Sequence, residues 1–313
     1  MTYFIGVDGG ASKTAAIVVD EHGSRLGSGL AGASNHLRVG IVEATRNVER
    51  AVNGALVEAG IAIRDVEYAY CGIAGSDHPS HREKVIEALS VFFPRGNFIV
   101  DTDARIALTG AIGFGAGVVI ISGTGSVAFG RNIAGQEARA GGWGPTLGDE
   151  GSGFWIAREG LSAIVRAHDG RGFATAMTDL LCLEYEMCRP DDLPRFVYAA
   201  TTHVDDIARY GKLVIEAAKA GDDVARDILA RGGSELAECV LAIARKLHMT
   251  DSDFPVAYVG GAFHADELLL SPMRLRLQRD APGATLAPPR HAPVEGAAMM
   301  AMRAAEAPRV GRV

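Results

Sequence analysis

In the first third of the chain, apolar residues occur in short continuous runs in some segments and at helical spacing in others. Three β-strands are predicted from apolar runs at residues 3–7, 15–19 and 25–30, which polar or glycine-rich turns separate. The next predicted elements are a helix at 41–59, a strand at 67–72, a helix at 79–92, a strand at 98–101 and a helix at 104–111. The order β-β-β-α-β-α-β-α indicates a mixed sheet with helices on its faces.

The same pattern begins again near residue 118. Strands are predicted at 118–122, 126–131 and 137–140, and the chain is then mostly helical from Asp149 to residue 248. The last predicted elements are a strand at 255–259, a helix at 265–279, a strand at 283–286 and a helix at 293–306. We therefore expect an α/β fold with two domains, residues 1–112 and 113–292, and the final helix packing on the first domain.

Composition excludes several classes of protein. The 313 residues are 48% apolar and 22% charged, with a net charge of −7 and no basic block that would favour nucleic acid. No run approaches the length of a membrane span, and the first residues enter a strand without leader features, so a cytoplasmic enzyme is expected. The four cysteines lack a paired spacing and are expected to be reduced: Cys71, Cys182, Cys188 and Cys239.

The turn after the first predicted strand reads Asp-Gly-Gly-Ala-Ser-Lys-Thr. Tight glycine turns present several backbone N–H groups to one point and can hold phosphate oxygens. The candidates for phosphate binding are Asp8, Gly9, Gly10, Ser12, Lys13 and Thr14. Asp8 would act by holding Mg²⁺, directly or through water, because two anions repel each other. The alternative is a plain hairpin with a solvated aspartate, since Asp-Gly is a common hairpin signal.

A second glycine turn, residues 122–126, opens the second half with two glycines and three hydroxyl side chains. Its phosphate-binding candidates are Gly123, Thr124 and Gly125. Neither turn is a P-loop or a dinucleotide fingerprint, but two such turns could grip a triphosphate across a cleft. Gly260 and Gly261 follow an apolar strand, where small residues allow either the approach of adenosine or simple close packing.

Asp103 lies just after the predicted strand at 98–101, where the chain turns into a helix, a position typical of functional side chains in α/β sheets. Phosphoryl transfer needs a base near the acceptor hydroxyl, which suits a carboxylate. Asp103 could instead be the N-cap of the following helix. Asp101 or Thr102 could supply that cap, so the sequence leaves the alternatives open.

Residues 141–153 contain six glycines, a tryptophan and two adjacent acids. A loop of this composition is expected to be ordered and to bind a ligand. Asp149 and Glu150 could accept hydrogen bonds from sugar hydroxyls or could favour a helix N-terminus. Asn35 and His36 lie in a polar loop and could serve the same ligand.

Several motifs together resemble those of N-acetylglucosamine kinases in the BadF/BadG/BcrA/BcrD ATPase family, within the sugar kinase/actin/Hsp70 superfamily. The motifs occur in the family's order: Ile-Gly-Val-Asp-Gly-Gly at 5–10, Ser-Asn-His at 34–36, Thr-Asp-Ala at 102–104, Ile-Ser-Gly-Thr-Gly-Ser at 121–126, Gly-Gly-Trp-Gly at 141–144 and Gly-Asp-Glu-Gly-Ser at 148–152. The resemblance implies two ribonuclease-H-like, actin-like ATPase domains with a cleft between them, and phosphorylation of an amino sugar at its 6-hydroxyl by ATP and Mg²⁺.

The resemblance also implies roles for single residues. Asp103 matches the catalytic base, residues 8–14 and 122–126 match the two phosphate segments, and Gly260-Gly261 matches the adenosine segment. The positions that match the sugar pocket are Asn35, Thr124, Gly142, Trp143 and Asp149. Relatives are often homodimers, and residues 222–248 could supply such an interface.

Three alternatives accompany this interpretation. The segments 259–262 and 292–297 look more like bacterial glucosamine kinases, which leaves the exact amino sugar open. An ATPase of the dehydratase-activator branch would need paired cysteines for an iron–sulfur cluster. A sugar-sensing regulator would need a DNA-binding module, for which the sequence shows no basic recognition helix.

Overall fold

A computed structural model describes residues 1–93, 96–185 and 189–306 of the chain. These residues form two compact units. The first comprises Met1–Phe114 and residues 289–306, and the second comprises the described residues of Gly115–Pro288. Each unit contains one five-stranded sheet.

The first unit combines its sheet with five α-helices and a 3-10 turn at Ile63–Asp65. The strands are β1 (Tyr3–Gly9), β2 (Thr14–Val19), β3 (Arg25–Ala31), β4 (Val66–Ile73) and β5 (Phe98–Asp101). The helices are α1 (His36–Val39), α2 (Ile41–Ala59), α3 (Pro79–Ser90), α4 (Asp103–Ile112) and, from the end of the chain, α12 (Pro293–Glu306). The short helix α1 is an element that the hydrophobic pattern did not predict.

The first sheet has the order β3-β2-β1-β4-β5. Strand β2 is antiparallel to both β1 and β3, whereas β4 is parallel to β1 and β5 is parallel to β4. Strands β1, β3, β4 and β5 therefore all run in one direction. Their carboxyl ends lie at one edge of the sheet, which is where α/β folds place ligands.

Helix α12 packs closely on this sheet because two glycines allow it. A Cβ atom at Gly6 would lie 2.4 Å from the backbone nitrogen of Ala298, and one at Gly296 would lie 2.2 Å from the carbonyl oxygen of Ile106. The buried face of α12 is alanine, including Ala297 and Ala301. Small side chains on both surfaces thus hold α12 against β1 and α4.

The second unit repeats this plan with a larger set of helices. Its strands are β6 (Gly117–Ser122), β7 (Ser126–Arg131), β8 (Glu137–Gly141), β9 (Phe254–Val259) and β10 (Ala284–Ala287). Its helices are α5 (Gly153–His168), α6 (Met177–Tyr185), α7 (Leu193–Val197), α8 (Val204–Ala208), α9 (Gly211–Lys219), α10 (Asp223–Lys246) and α11 (Glu267–Asp280), with 3-10 turns at Pro190–Asp192 and Gly261–Ala265.

The second sheet has the order β10-β9-β6-β7-β8. Read from its other side, this order repeats the first sheet strand for strand, with β6 in the place of β1 and β9 in the place of β4. The predicted α/β class and the structural repeat are both confirmed. The predicted helix at 265–279 begins later, because Asp266 has a left-handed φ of 51° that separates the 3-10 turn from α11.

The described cysteines are free thiols, as expected from their spacing: Cys71, Cys182 and Cys239. Burial raises the pKa of the Cys71 thiol to about 12 and that of Cys239 to about 11, so both are protonated near neutral pH. Cys188 lies outside the described residues. Within the described ranges, every helix is too short or too polar to cross a membrane.

Candidate active site

Four segments meet at the carboxyl edge of the first sheet, and they contain most of the residues predicted for function in this unit. They are residues 8–13 after β1, 32–36 after β3, 74–76 after β4 and 101–103 after β5. Each segment follows a strand that runs in the same direction. The topology therefore brings together residues up to 95 positions apart in the sequence.

The turn after β1 offers three backbone donors. Gly10 donates its N–H to the carbonyl oxygen of Lys13 at 2.9 Å, and the buried Thr14 hydroxyl donates to the carbonyl oxygen of Gly32 at 2.7 Å. The N–H groups of residues 11–13 have no acceptor within the described parts of the chain. These three amides form the part of the turn that could hold a phosphate. The first of them, Ala11, lies in the predicted phosphate segment 8–14 but was not among the single residues proposed to bind phosphate.

Asp8 lies at the end of β1, near the negatively charged Asp103 and the positively charged Lys13. Burial, and then the charge of Asp103, raise the pKa of Asp8 from 3.8 to about 6, and Lys13 opposes them. The carboxylates of Asp8 and Asp103 are therefore close enough to repel each other. A divalent cation would relieve that repulsion, which gives Asp8 a physical reason to bind one.

Replacing Asp8 should stabilise the protein in the absence of nucleotide. The folded protein binds more protons than the unfolded chain between pH 4 and 6, so Asp8 lowers stability as the pH rises through this window. We expect Asp8→Asn to raise the free energy of unfolding at pH 7 by at most about 3 kcal/mol and to change little at pH 4. Urea unfolding at both pH values measures the difference.

Asp65→Asn, which removes an exposed carboxylate from the same unit, is the control for this experiment. It should follow the wild type across the pH range. A variant Asp8→Asn that is less stable than the wild type at pH 7, or one with the same difference at both pH values, would contradict the raised pKa assigned to Asp8.

The helix cap next to Asp103 is provided by its neighbour. The Thr102 hydroxyl accepts the N–H of Arg105 at 3.3 Å, and Thr102 is the N-cap of α4. One Asp103 oxygen lies 3.0 Å from the N–H of Ala104, in the first turn of the helix. Of the two roles that the sequence left open, the structure gives the cap to Thr102.

Asn35 caps the short helix α1 and keeps one polar group available. Its Oδ1 accepts the N–H of Leu37 at 3.1 Å, whereas its Nδ2 has no acceptor within the described ranges. The next residue, His36, is buried with its ring 5.5 Å from that of His81, and both of its nitrogens lack a described partner. Burial lowers the pKa of His36, so the ring is neutral near pH 7.

The turn after β6 in the second unit is fixed to the start of α5. The hydroxyls of Ser122 and Ser126 donate to the carbonyl oxygens of Gly151 and Glu150 at 2.9 and 2.8 Å. Gly123 donates its N–H to the carbonyl oxygen of Gly125 at 2.9 Å, which closes the turn. The N–H groups of residues 124 and 125 have no acceptor among the described residues, so this turn also presents amides to a ligand.

Asp149 packs against this turn. It is 7% exposed, has a left-handed φ of 61° and accepts the N–H of Gly144 at 3.3 Å. A Cβ atom at Gly125 would lie 2.6 Å from an oxygen of Asp149, so only glycine lets the carboxylate approach the turn. Burial raises the pKa of Asp149, and the N–H groups of Gly144 and Ser126 oppose the shift.

Gly142 and Trp143, the other two residues of this loop that were predicted to contact the sugar, lie in different environments. Gly142 donates its N–H to the carbonyl oxygen of Ser126 at 2.8 Å, which places its backbone beside the turn. Trp143 follows it and is 73% exposed. The second unit thus brings Thr124, Gly142 and Asp149 together and leaves the Trp143 ring on the surface.

A cavity of about 560 Å³ opens beside the same turn, a size typical of sites for small molecules and cofactors. Gly123, Thr124 and Gly261 line one part of it. A Cβ atom at Gly260 would lie 2.2 Å from the carbonyl oxygen of Ser122, so this glycine joins the predicted adenosine segment to the turn. Residues that the sequence did not single out complete the wall: Asp205, Arg209, Lys212, Glu216, Lys219 and His264.

Comparison with known proteins shows similarity over nearly the whole chain. The sequence profile of the BadF/BadG/BcrA/BcrD ATPase family matches residues 5–301. The chain is 30% identical to the N-acetyl-D-glucosamine kinase of Dictyostelium discoideum over 310 residues, which cover 96% of this chain and 97% of that protein. It is also 30% identical to the N-acetylmuramic acid/N-acetylglucosamine kinase of Clostridium acetobutylicum over 282 residues, 90% of this chain and 92% of that one.

The fold agrees with that of a solved structure of similar size. A Chromobacterium violaceum protein provisionally named an N-acetylglucosamine kinase has a TM-score of 0.75 and 27% identity to this chain. The match covers 96% of this chain and 99% of that one. The two mixed sheets of this chain, which share one strand order, therefore form a fold that sugar kinases also have.

Proposed function

Because this chain belongs to the BadF/BadG/BcrA/BcrD ATPase family, we propose that it is an ATP-dependent kinase of an N-acetylated amino sugar. The reaction transfers the γ-phosphoryl group of ATP to the 6-hydroxyl, and N-acetylglucosamine is the first substrate to test. Two relatives that act on this sugar or on N-acetylmuramic acid, each 30% identical over at least 90% of the chain, support the choice. ATP is a cytoplasmic metabolite, so the proposal places the enzyme there.

The observation that carries the proposal is the position of Asp103. It lies at the same sheet edge as the amides of residues 11–13 and close enough to Asp8 to shift its pKa. A base for phosphoryl transfer has to stand beside the phosphate site, where it can accept the proton of the attacking hydroxyl. Thr102 supplies the helix cap, so capping does not explain the presence of Asp103.

Each unit by itself offers groups that suit part of Mg²⁺-ATP. Unpaired backbone amides occur in each glycine turn, and the cavity beside the second turn has room for adenosine. Within the described ranges, no group of three acidic, histidine or cysteine side chains is arranged to hold a metal ion, so Asp8 would share Mg²⁺ with phosphate oxygens and water. Bound Mg²⁺ would neutralise charge on the transferring phosphoryl group.

Each unit also leaves polar groups available that suit the hydroxyls of a sugar. Asn35 can donate from Nδ2 to a hydroxyl oxygen, and the Asp149 carboxylate can accept from a hydroxyl. The backbone of Gly142 lies beside Asp149 and could contact the same ligand. These neutral and acidic partners suit the hydroxyl groups of a sugar.

The activator alternative is not supported by the cysteines that the structure describes. Cys71 is buried on β4 in the first unit, and Cys239 is on α10 in the second. The raised pKa values of both thiols oppose the thiolate form that an iron–sulfur cluster requires. Glucosamine kinase activity stays an alternative within the same chemistry, and a substrate panel separates it.

A coupled assay of ADP release tests the proposal. The wild-type protein receives Mg²⁺-ATP with N-acetylglucosamine, N-acetylmuramic acid, glucosamine or glucose, and we expect ADP release that depends on an N-acetylated sugar. The matched control is 6-deoxy-N-acetylglucosamine, which lacks only the accepting hydroxyl and should not stimulate ADP release. Equal ADP release with no sugar, or stimulation by the 6-deoxy analogue, would contradict transfer to the 6-hydroxyl.

A further inference from the structure

Asp101 is a buried carboxylate that the proposed chemistry does not use. It is 4% exposed, and one of its oxygens accepts the Tyr70 hydroxyl at 2.6 Å and an N–H of Arg105. Its other oxygen accepts the N–H of Thr102 at 2.7 Å and lies 3.8 Å from a guanidinium nitrogen of Arg82. Removing a carboxylate from water is costly, so a site with this many partners requires an explanation.

The partners of Asp101 determine where the proposed base lies. Thr102 donates its backbone N–H to the Asp101 carboxylate. It is also the N-cap of α4 and the residue immediately before Asp103. A change at Asp101 would therefore move the Thr102 backbone and, with it, the Asp103 carboxylate. Misplacing a reacting group by about 1 Å can reduce turnover about 100-fold.

Arg82 extends this network to the segment that holds Asn35. Its Nε donates to the carbonyl oxygen of Ser76 at 3.1 Å. Ser76 follows Gly75, which has a φ of 85° and packs so closely on Asn35 that a Cβ atom would lie 2.9 Å from Oδ1. The guanidinium group of Arg82 thus contacts both the loop at Ser76 and the carboxylate of Asp101. This loop lies beside Asn35, and Asp101 lies two residues before Asp103.

We propose that Arg82, Asp101 and Tyr70 are positioning residues that hold Asp103 at a fixed distance from Asn35. Asp101 and Tyr70 fix the base, and Arg82 connects the base to the sugar-binding loop. The inference rests on the proposed function, since it assigns the two connected segments to base and sugar. It also predicts that Tyr70 and Arg82 affect different kinetic constants.

The kinetic pattern of two variants tests the network. Tyr70→Phe removes one hydrogen bond from Asp101, so kcat should fall about 3- to 10-fold while the sugar KM stays within about twofold. Arg82→Met disconnects both segments, so kcat should fall and the sugar KM should rise, each about 10-fold, with the ATP KM unchanged. Arg82→Lys keeps the charge near Asp101 and should recover part of kcat.

Matched controls separate positioning from a general loss of structure. Tyr68→Phe makes the same change two residues earlier on β4, and Arg276→Met removes a partly buried arginine that pairs with Glu238 and Asp280 in the second unit. Both should retain wild-type kinetics. All variants are assayed well below their melting temperatures, and Tyr70→Phe carries the test if Arg82→Met does not fold.

The possible results distinguish this inference from the proposed function. Kinetics of Tyr70→Phe and Arg82→Met that match their controls, or equal changes in the KM of sugar and ATP, would overturn the network while the kinase proposal stands. If the wild type shows no sugar-dependent ADP release, the proposed function fails and the inference fails with it. If Asp103→Asn keeps full turnover, Asp103 loses the role of base and the inference fails, while the kinase proposal stands.

Discussion

Asp103→Asn should lower kcat by about 100- to 10,000-fold, the range that a positioned general base contributes. Asparagine keeps the size of the side chain and a carbonyl oxygen near the N–H of Ala104, but it cannot accept the proton of the attacking hydroxyl. Because the lost interaction belongs to the transition state, the KM values for sugar and ATP should change much less than kcat. Initial rates of ADP release over both substrate concentrations measure this difference.

The same substitution should also change Asp8. The charge of Asp103 helps to raise the pKa of Asp8, so removing it should lower that pKa and ease the ionisation of Asp8. Asp103→Asn should therefore be at least as stable as the wild type at pH 7. Asp65→Asn is the control for loss of a carboxylate, and turnover of Asp103→Asn within a few-fold of this control would remove Asp103 from the role of base.

Asp149→Asn should raise the sugar KM about 10- to 100-fold, because a hydrogen bond to a charged acceptor contributes about 1.5–3 kcal/mol. Asparagine tolerates the left-handed φ of 61° and can still accept the N–H of Gly144, so the loop should keep its shape. It cannot present a charged acceptor to the sugar hydroxyls. The ATP KM should stay near its wild-type value.

Asp169→Asn serves as the control for Asp149→Asn, since it removes an exposed carboxylate at the end of α5 in the same unit. Its kinetic constants should match those of the wild type. Sugar titrations at saturating Mg²⁺-ATP measure both variants. A sugar KM for Asp149→Asn that equals the control value would separate Asp149 from sugar binding.

The hydrophobic pattern predicted the fold well, including the repeat of one architecture in the two sheets. Short apolar runs with glycine turns identified all five strands of each sheet, and the glycine turns proved to carry unpaired amides. The pattern missed α1, whose four residues are too few to show a period. It also could not choose between Thr102 and Asp103 as the cap, because both residue types cap helices well.

Features that depend on distant parts of the chain could not be predicted. Arg82 and Asp101 are 19 positions apart, and their contact exists only because α3 packs beside the end of β5. Lys212 and Glu216 of α9 line the cavity, but no sequence motif marks them. The sequence of a helix that lines a cavity does not differ from that of any other amphipathic helix. The proposed chemistry was predictable from local turns, but the side chains that position it were not.

The central claim is that phosphate is transferred to the 6-hydroxyl of an amino sugar, and identifying the product tests it most directly. The wild-type protein is incubated with Mg²⁺-ATP and N-acetylglucosamine, and the product is examined by NMR for coupling between phosphorus and sugar protons. We predict coupling to the two protons on carbon 6 and one ADP released for each phosphorylated sugar. Coupling to the anomeric proton, or inorganic phosphate with unmodified sugar, would contradict the claim.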